Sequence, residues 1–126
     1  MRIPLFKTLP LLLPCASIAG EADILAAEVE SVGGEFYRFK VTVQHDDEDW
    51  NHYAQRWEIL STDGKLLAIR VLRHPHINEQ PFTRSVTAII PEDIDQVVIR
   101  AYDLVHEFGG KEFTLNLNKE NQNEFN

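Results

Sequence analysis

The sequence predicts an all-β chain, an immunoglobulin-like seven-stranded β-sandwich. Three observations predict it. Seven short runs alternate apolar and polar residues with period 2, and turn-forming residues separate them. No stretch carries a 3.6-residue apolar period with caps at its ends. The third run holds an inward tryptophan, Trp57, where such sandwiches bury one.

The runs follow in order. Ile24–Val32 is the first strand, and Gly33-Gly34 closes it with a two-residue hairpin signal. Glu35–His45 is the second. Tyr37, Phe39, Val41 and Val43 share one face, Arg38, Lys40, Thr42 and Gln44 the other, and His45 continues the apolar face. An acidic loop, 46–55, leads to the third strand, Arg56–Thr62, with Trp57 and Ile59 inward. Asp63-Gly64 turns the chain into the fourth, Lys65–Leu72. A loop with two prolines, 73–81, precedes the fifth, Phe82–Ile90, where Val86, Ala88 and Ile90 are in phase. After the turn at 91–94 comes the sixth, Asp95–Leu104, with Val97, Ile99 and Ala101 in phase. The loop 105–110 leads to the seventh, Lys111–Leu117, with Phe113, Leu115 and Leu117 in phase. Residues 118–126 are polar and Asn-rich and read as a disordered tail.

Residues 1–19 read as a signal peptide rather than as part of the fold. Arg2 and Lys7 flank the start of a short apolar run, and Ser17-Ile18-Ala19 places small residues at the -3 and -1 positions of a cleavage site. Pro10 and Pro14 would break a core helix there. Cys15 offers lipidation as the second choice, because Pro14 is a poor residue before a lipidated cysteine. The expected location is periplasmic or secreted, with the sandwich spanning 20–117 and no membrane contact after signal removal. Cleavage removes the only Cys and the only Met, so any metal must be held by imidazoles and carboxylates.

The whole chain carries a formal charge of -8. That argues against nucleic acid as a partner, since phosphate binding needs a basic face. Hydrolytic chemistry fares no better. Ser85 lies within a strand without a nucleophile-elbow pattern, and no Gly-rich phosphate loop occurs.

The histidines carry the functional signal. Strands that run up and down place alternate connections at opposite ends. His45, His52, His74, His76 and His106 all fall in the three longer connections, at one pole. In His74-Pro75-His76 the proline enforces extension, so both imidazoles point to one side. The expectation is one transition metal bound by these five residues, iron or copper first and zinc admissible. Asp46, Asp47, Glu48, Asp49, Glu79, Asp103 and Glu107 are carboxylates in reach that would complete the shell or orient the rings. Arg84 is expected to pair with one of them. Trp50, Tyr53, Phe82 and Phe108 either wall the site or cap the core. The stretch Asp47–Glu58 imitates a calcium loop, but its sixth position is His52 where the turn demands Gly.

His45-Asp46-Asp47-Glu48-Asp49-Trp50-Asn51-His52-Tyr53 followed by Trp57, and Arg100-Ala101-Tyr102-Asp103-Leu104-Val105-His106, resemble two segments of the superoxide reductase (desulfoferrodoxin) family. The resemblance runs over residues 21–117. It implies an immunoglobulin-like sandwich holding a mononuclear iron on four His and one Cys, with superoxide reduction as the activity. By position, His45, His52 and His106 match family iron ligands. The family's Cys falls at Asp103 and its first His near Asp23. The thiolate that drives the family's chemistry is therefore missing, and His74 and His76 would have to replace lost ligands. The resemblance thus carries fold and metal pole further than it carries superoxide reduction.

A shorter likeness points elsewhere. Residues 72–82 are similar to a Pro-rich stretch in the sandwich subunit of the periplasmic sulfur-oxidation carrier complex. It implies a non-enzymatic module whose partner is a carrier chain. A periplasmic redox or carrier protein is accordingly the protein partner to expect.

Overall fold

The computed structural model describes residues 20–119. The signal-peptide reading of residues 1–19, including Cys15, and most of the polar tail lie outside the described residues. Seven strands form: β1 (Asp23–Gly33), β2 (Phe36–Gln44), β3 (Ala54–Ser61), β4 (Leu66–Val71), β5 (Phe82–Ile89), β6 (Gln96–Asp103) and β7 (Phe113–Asn116). They make two antiparallel sheets, β1-β2-β5 and β4-β3-β6-β7. The all-β, seven-stranded sandwich read from the sequence is the fold, and each strand falls within a few residues of its expected limits.

The alternation explains the core. Tyr37, Phe39, Val41 and Val43 of β2 are buried, as are Val97, Ile99 and Ala101 of β6 and Trp57 and Ile59 of β3. Two inner faces of a sandwich interdigitate, so each strand contributes every second side chain. A register shift between Ile24 and Ala26 bulges β1 and leaves Leu25 exposed.

β3 departs from simple alternation, because Glu58, Leu60 and Ser61 are buried as well. A register shift between Ile59 and Leu60 changes the phase of the last two, and the loop after β6 covers Glu58. Phe108 folds over the outer face of the four-stranded sheet, with the Arg100 guanidinium 3.8 Å and that of Arg56 5.4 Å from its ring centre. The two arginines then hold Glu58, at 2.8 Å from Arg56 Nε and 3.0 Å from Arg100 Nη2.

The connections segregate as an up-and-down chain requires. At one end, the Glu35 carbonyl accepts from Ile90 N and the Asp95 carbonyl from Leu117 N. Lys119 Nζ donates to the carbonyls of Pro91 and Glu92 there, so the first two residues beyond 117 lie against this end. At the other end the loops after β2, β4 and β6 interlock. His45 N donates to Gln80 Oε1, Gln80 Nε2 donates to the His76 carbonyl, and Leu104 N donates to the Tyr53 carbonyl. All five histidines belong to this second end.

Candidate metal centre

The apolar runs of β2 and β6 each continue with one more inward-facing residue. Just past β2 it is His45, 1 % exposed; on β6 it is Asp103, fully buried. Period 2 puts both in the phase of the core side chains. At the pole, however, the core is closed by polar groups that must satisfy one another.

Asp103 is fixed first. Its Oδ1 accepts from Val105 N at 2.7 Å and His106 N at 2.6 Å, an Asx-type turn that starts the loop after β6. The same loop is tied back by Asp103 N to the Glu107 carbonyl and Glu107 N to the Asp103 carbonyl. The carboxylate is thereby pre-aimed. Its Oδ2 lies 3.3 Å from His45 Nε2 and 3.2 Å from His106 Nδ1, and its Oδ1 lies 3.6 Å from His52 Nε2.

The imidazoles are aimed from behind. His45 Nδ1 lies 2.5 Å from Asp47 Oδ1, and His52 Nδ1 lies 2.9 Å from Glu48 Oε1. A backbone bridge between Asp49 and His52 holds the loop that carries His52. In both rings the carboxylate accepts from Nδ1–H, so in the neutral ring Nε2 carries the lone pair and faces Asp103. The rings meet edge to face with centres 4.8 Å apart. His45, His52 and Asp103 each offer one ligand atom, and these atoms lie within 4.8 Å of one another.

The separations from Asp103 suit a metal ion. Ligands at about 2.0–2.2 Å from a first-row ion stand about 2.8 to 3.6 Å apart along the edges of an octahedron or tetrahedron. The separations from Asp103 to the two Nε2 atoms lie in or near that range. The trio can therefore hold a metal, with Asp47 and Glu48 as carboxylates behind the imidazoles.

Charge in the pocket points the same way. Burial disfavours the protonated form of His45. The hydrogen bond and charge of Asp47, the charge of Asp103 and the Gly20 carbonyl outweigh it and raise the pKa above the usual value. Burial likewise opposes ionisation of Asp47. The hydrogen bond from His45, the backbone N–H groups of His76 and Ala54 and the charge of His45 overcome it and lower the pKa.

The five histidines do not form one cluster. His106 sits at the rim, its ring centre 5.1 Å from that of His52 and its side chain about a third exposed. His74 and His76 lie beyond Asp47, whose Oδ2 accepts from His76 N at 2.5 Å. Their rings are 4.5 Å apart, as the H-x-H spacing requires. The nitrogens face elsewhere. His74 Nδ1 turns to the Pro75 carbonyl, and His76 Nε2 meets Arg84 Nη2 at 3.0 Å. A guanidinium only donates, so His76 Nε2 is its acceptor and is consumed. The His76 ring also stacks on Phe82 with centres 3.9 Å apart. Burial, then the charges of Arg84 and His74, lower its pKa. The His74-Pro75-His76 pair is thus not joined to the trio, and Arg84 faces an imidazole where an acid was expected.

Other expected contributors divide. Asp46, Asp49, Glu79 and Glu107 are exposed, and Trp50 is largely in solvent. Asp23, the position nearest the family's first His, accepts from Lys111 N with its side chain. Two groups escaped the sequence reading, the Gln80 side chain and the Gly20 carbonyl. The signal for Asp103 was its phase with Val97, Ile99 and Ala101; a main-chain carbonyl leaves no signal of that kind.

The comparisons with known proteins are sparse. Over 91 residues, 72 % of this chain, it is 38 % identical to a protein of Halomicrobium mukohataei described as "Putative lipoprotein". The match spans 45 % of that relative, so the chain corresponds to under half of its length. No family model matches the sequence, and no solved structure matches it.

Proposed function

We propose that this chain is an exported β-sandwich protein that binds one transition-metal ion, iron or copper, between His45, His52 and Asp103. One observation carries the reading. Two imidazole Nε2 atoms converge on a buried carboxylate, and each imidazole is backed by a carboxylate at Nδ1. A redox role follows from the choice of metal, since iron and copper supply a one-electron couple and His52 is partly open to solvent. The three residues occupy family ligand positions in the superoxide reductase resemblance, which supports superoxide as the substrate class. Asp103 replaces the family's thiolate with a hard oxygen donor, which favours a less electron-rich centre and slower reduction. Export is supported by the leader-like residues 1–19 and by the lipoprotein description of the relative; release into a periplasm or the medium is the finer form of this proposal.

The test is the metal content of protein isolated from its native cell envelope or medium. One equivalent of iron or copper is expected, falling to background in His52→Ala and Asp103→Ala. Native protein without metal, or full occupancy in both variants, would end the proposal. Superoxide consumption by the loaded protein, followed by stopped flow, tests the redox role separately.

A further inference from the structure

The centre proposed above draws three donors from side chains, and a fourth group reaches the same point from the main chain. The Gly20 carbonyl oxygen lies 2.9 Å from His45 Nε2 and 3.2 Å from His52 Nε2. Both Nδ1 atoms already donate to carboxylates, so in the neutral rings both Nε2 atoms are acceptors. A carbonyl oxygen is an acceptor too. Acceptors that face one another this closely repel unless a proton or a cation lies among them. Two added protons would be needed to relieve both contacts. One metal ion relieves both, and the Asp103 contacts as well.

The local structure is built to bring that carbonyl in. Gly20 has φ +97°, a backbone conformation that favours glycine. A Cβ there would stand 2.8 Å from Cε1 of His106, so that ring would have to shift to admit a side chain. The residues that follow are seated just as tightly. A Cβ on Gly109 would meet the Glu21 carboxylate and one on Gly110 the Ala22 carbonyl, in both cases closer than atoms can approach. Ala22 is buried, and Ile24 N donates to the Lys111 carbonyl. Three glycines thus permit one close-packed path that ends with a carbonyl between two imidazoles.

We propose that the Gly20 carbonyl oxygen is a fourth ligand of the metal held by His45, His52 and Asp103. The inference rests on the metal reading above and adds to it. The donor set becomes two imidazole nitrogens and two oxygens, which suits divalent iron or zinc better than monovalent copper. The segment 20–22 then belongs to the site, and metal binding fixes its position.

Zn(II) is the probe. Gly20→Ala should weaken Zn(II) affinity by about 10- to 100-fold, the range found when a metal site loses a supporting group. Gly64→Ala is the matched control. Gly64 also has positive φ, +92°, but no atom lies within 4 Å of its Cβ position, so affinity should not change. A second measurement uses the unaltered protein, labelled with carbonyl-13C glycine and 15N glutamate. Only Gly20-Glu21 and Gly34-Glu35 give linked signals, and the latter pair lies at the opposite end of the sandwich. On Zn(II) addition the Gly20 carbonyl resonance should move and the Gly34 resonance should not. A Gly20 resonance unmoved at full occupancy overturns the proposal, whatever the Gly20→Ala variant does. If His52→Ala loses Zn(II) in that case, the side-chain site stands and only the carbonyl ligand falls; if His52→Ala binds like wild type, the side-chain site falls too.

Discussion

Two histidine pairs share one end of this sandwich, and their ring separations are nearly equal. His45 and His52 stand 4.8 Å apart, His74 and His76 4.5 Å apart. What surrounds the nitrogens differs. In the first pair every ring nitrogen faces an oxygen: Asp47 or Glu48 behind, Asp103 and the Gly20 carbonyl in front. In the second, Arg84 occupies His76 Nε2, and the ring lies flat on Phe82. Proximity of imidazoles is therefore not enough to make a metal site. Oxygens collect a cation, whereas a guanidinium repels it and uses the lone pair that would bind it.

The largest effect that would break this comparison belongs to Asp103. Asp103→Ala removes a ligand and the acceptor for two backbone N–H groups. Zn(II) affinity should fall by at least about 100-fold, while His74→Ala and His76→Ala should stay within about threefold of wild type. Competition titration with a chromophoric chelator measures all three. A loss in His76→Ala equal to that in Asp103→Ala would erase the distinction between the pairs.

Asp47 is the next lever, because it serves both pairs. It accepts from His45 Nδ1, Ala54 N and His76 N with no solvent contact of its side chain. Asp47→Ala should cost about 3 kcal/mol of stability in urea unfolding, since it strands buried donors. Zn(II) affinity should fall by about 10-fold or more as His45 loses its orientation. Unchanged stability would mean that the two loops do not depend on this carboxylate.

The pH dependence of the metal-free protein sharpens the contrast, since one member of each pair, His45 and His76, is shifted to opposite sides of the ordinary value of 6.5. Burial, Arg84 and His74 hold the His76 pKa below 6.5. Below 6.5 the unfolded chain then binds the proton that folded His76 refuses, so stability falls as pH drops through that window. For His45, burial opposes the proton but Asp47 and Asp103 prevail, and the pKa is raised. Its contribution is full below 6.5 and is lost as pH rises through the folded value. His76→Gln should flatten the acid limb of a stability profile and leave the limb above 6.5 in place. Loss of both limbs together would show that His45 and His76 titrate as one unit.

The smallest effect is assigned to His106, at the rim and about a third exposed. His106→Ala should lower Zn(II) affinity by only about 3- to 10-fold, since its Nδ1 lies against Asp103 without entering the trio. An effect as large as that of His52→Ala would move it into the ligand set.

Much of the fold was legible because it is carried by alternation. Tyr37, Phe39, Val41 and Val43 announce an inward face, and His45 follows in the same phase; Val97, Ile99 and Ala101 do the same for Asp103. Asp63-Gly64 marks a hairpin by its backbone chemistry alone. The burial of Glu58 was not legible. It depends on Phe108, fifty residues later, folding across the sheet with two arginines beneath it. The partner of Arg84 was not legible either, because several acids of the pole were equally available to it in sequence terms.

The sequence by itself determined the seven strands, the inward phase of β2, β3, β5, β6 and β7, and the end of the sandwich at which every histidine lies. Those properties follow from side-chain period and turn chemistry, which are local. Tertiary structure decided which ring nitrogens keep a lone pair to give. That depends on where Asp47, Glu48, Asp103, Arg84 and the Gly20 carbonyl come to rest, and these groups meet only when three loops and the lead into β1 pack together. Spacing along a strand sets the direction of a side chain, but only the folded surroundings set its charge environment and its remaining hydrogen-bonding capacity.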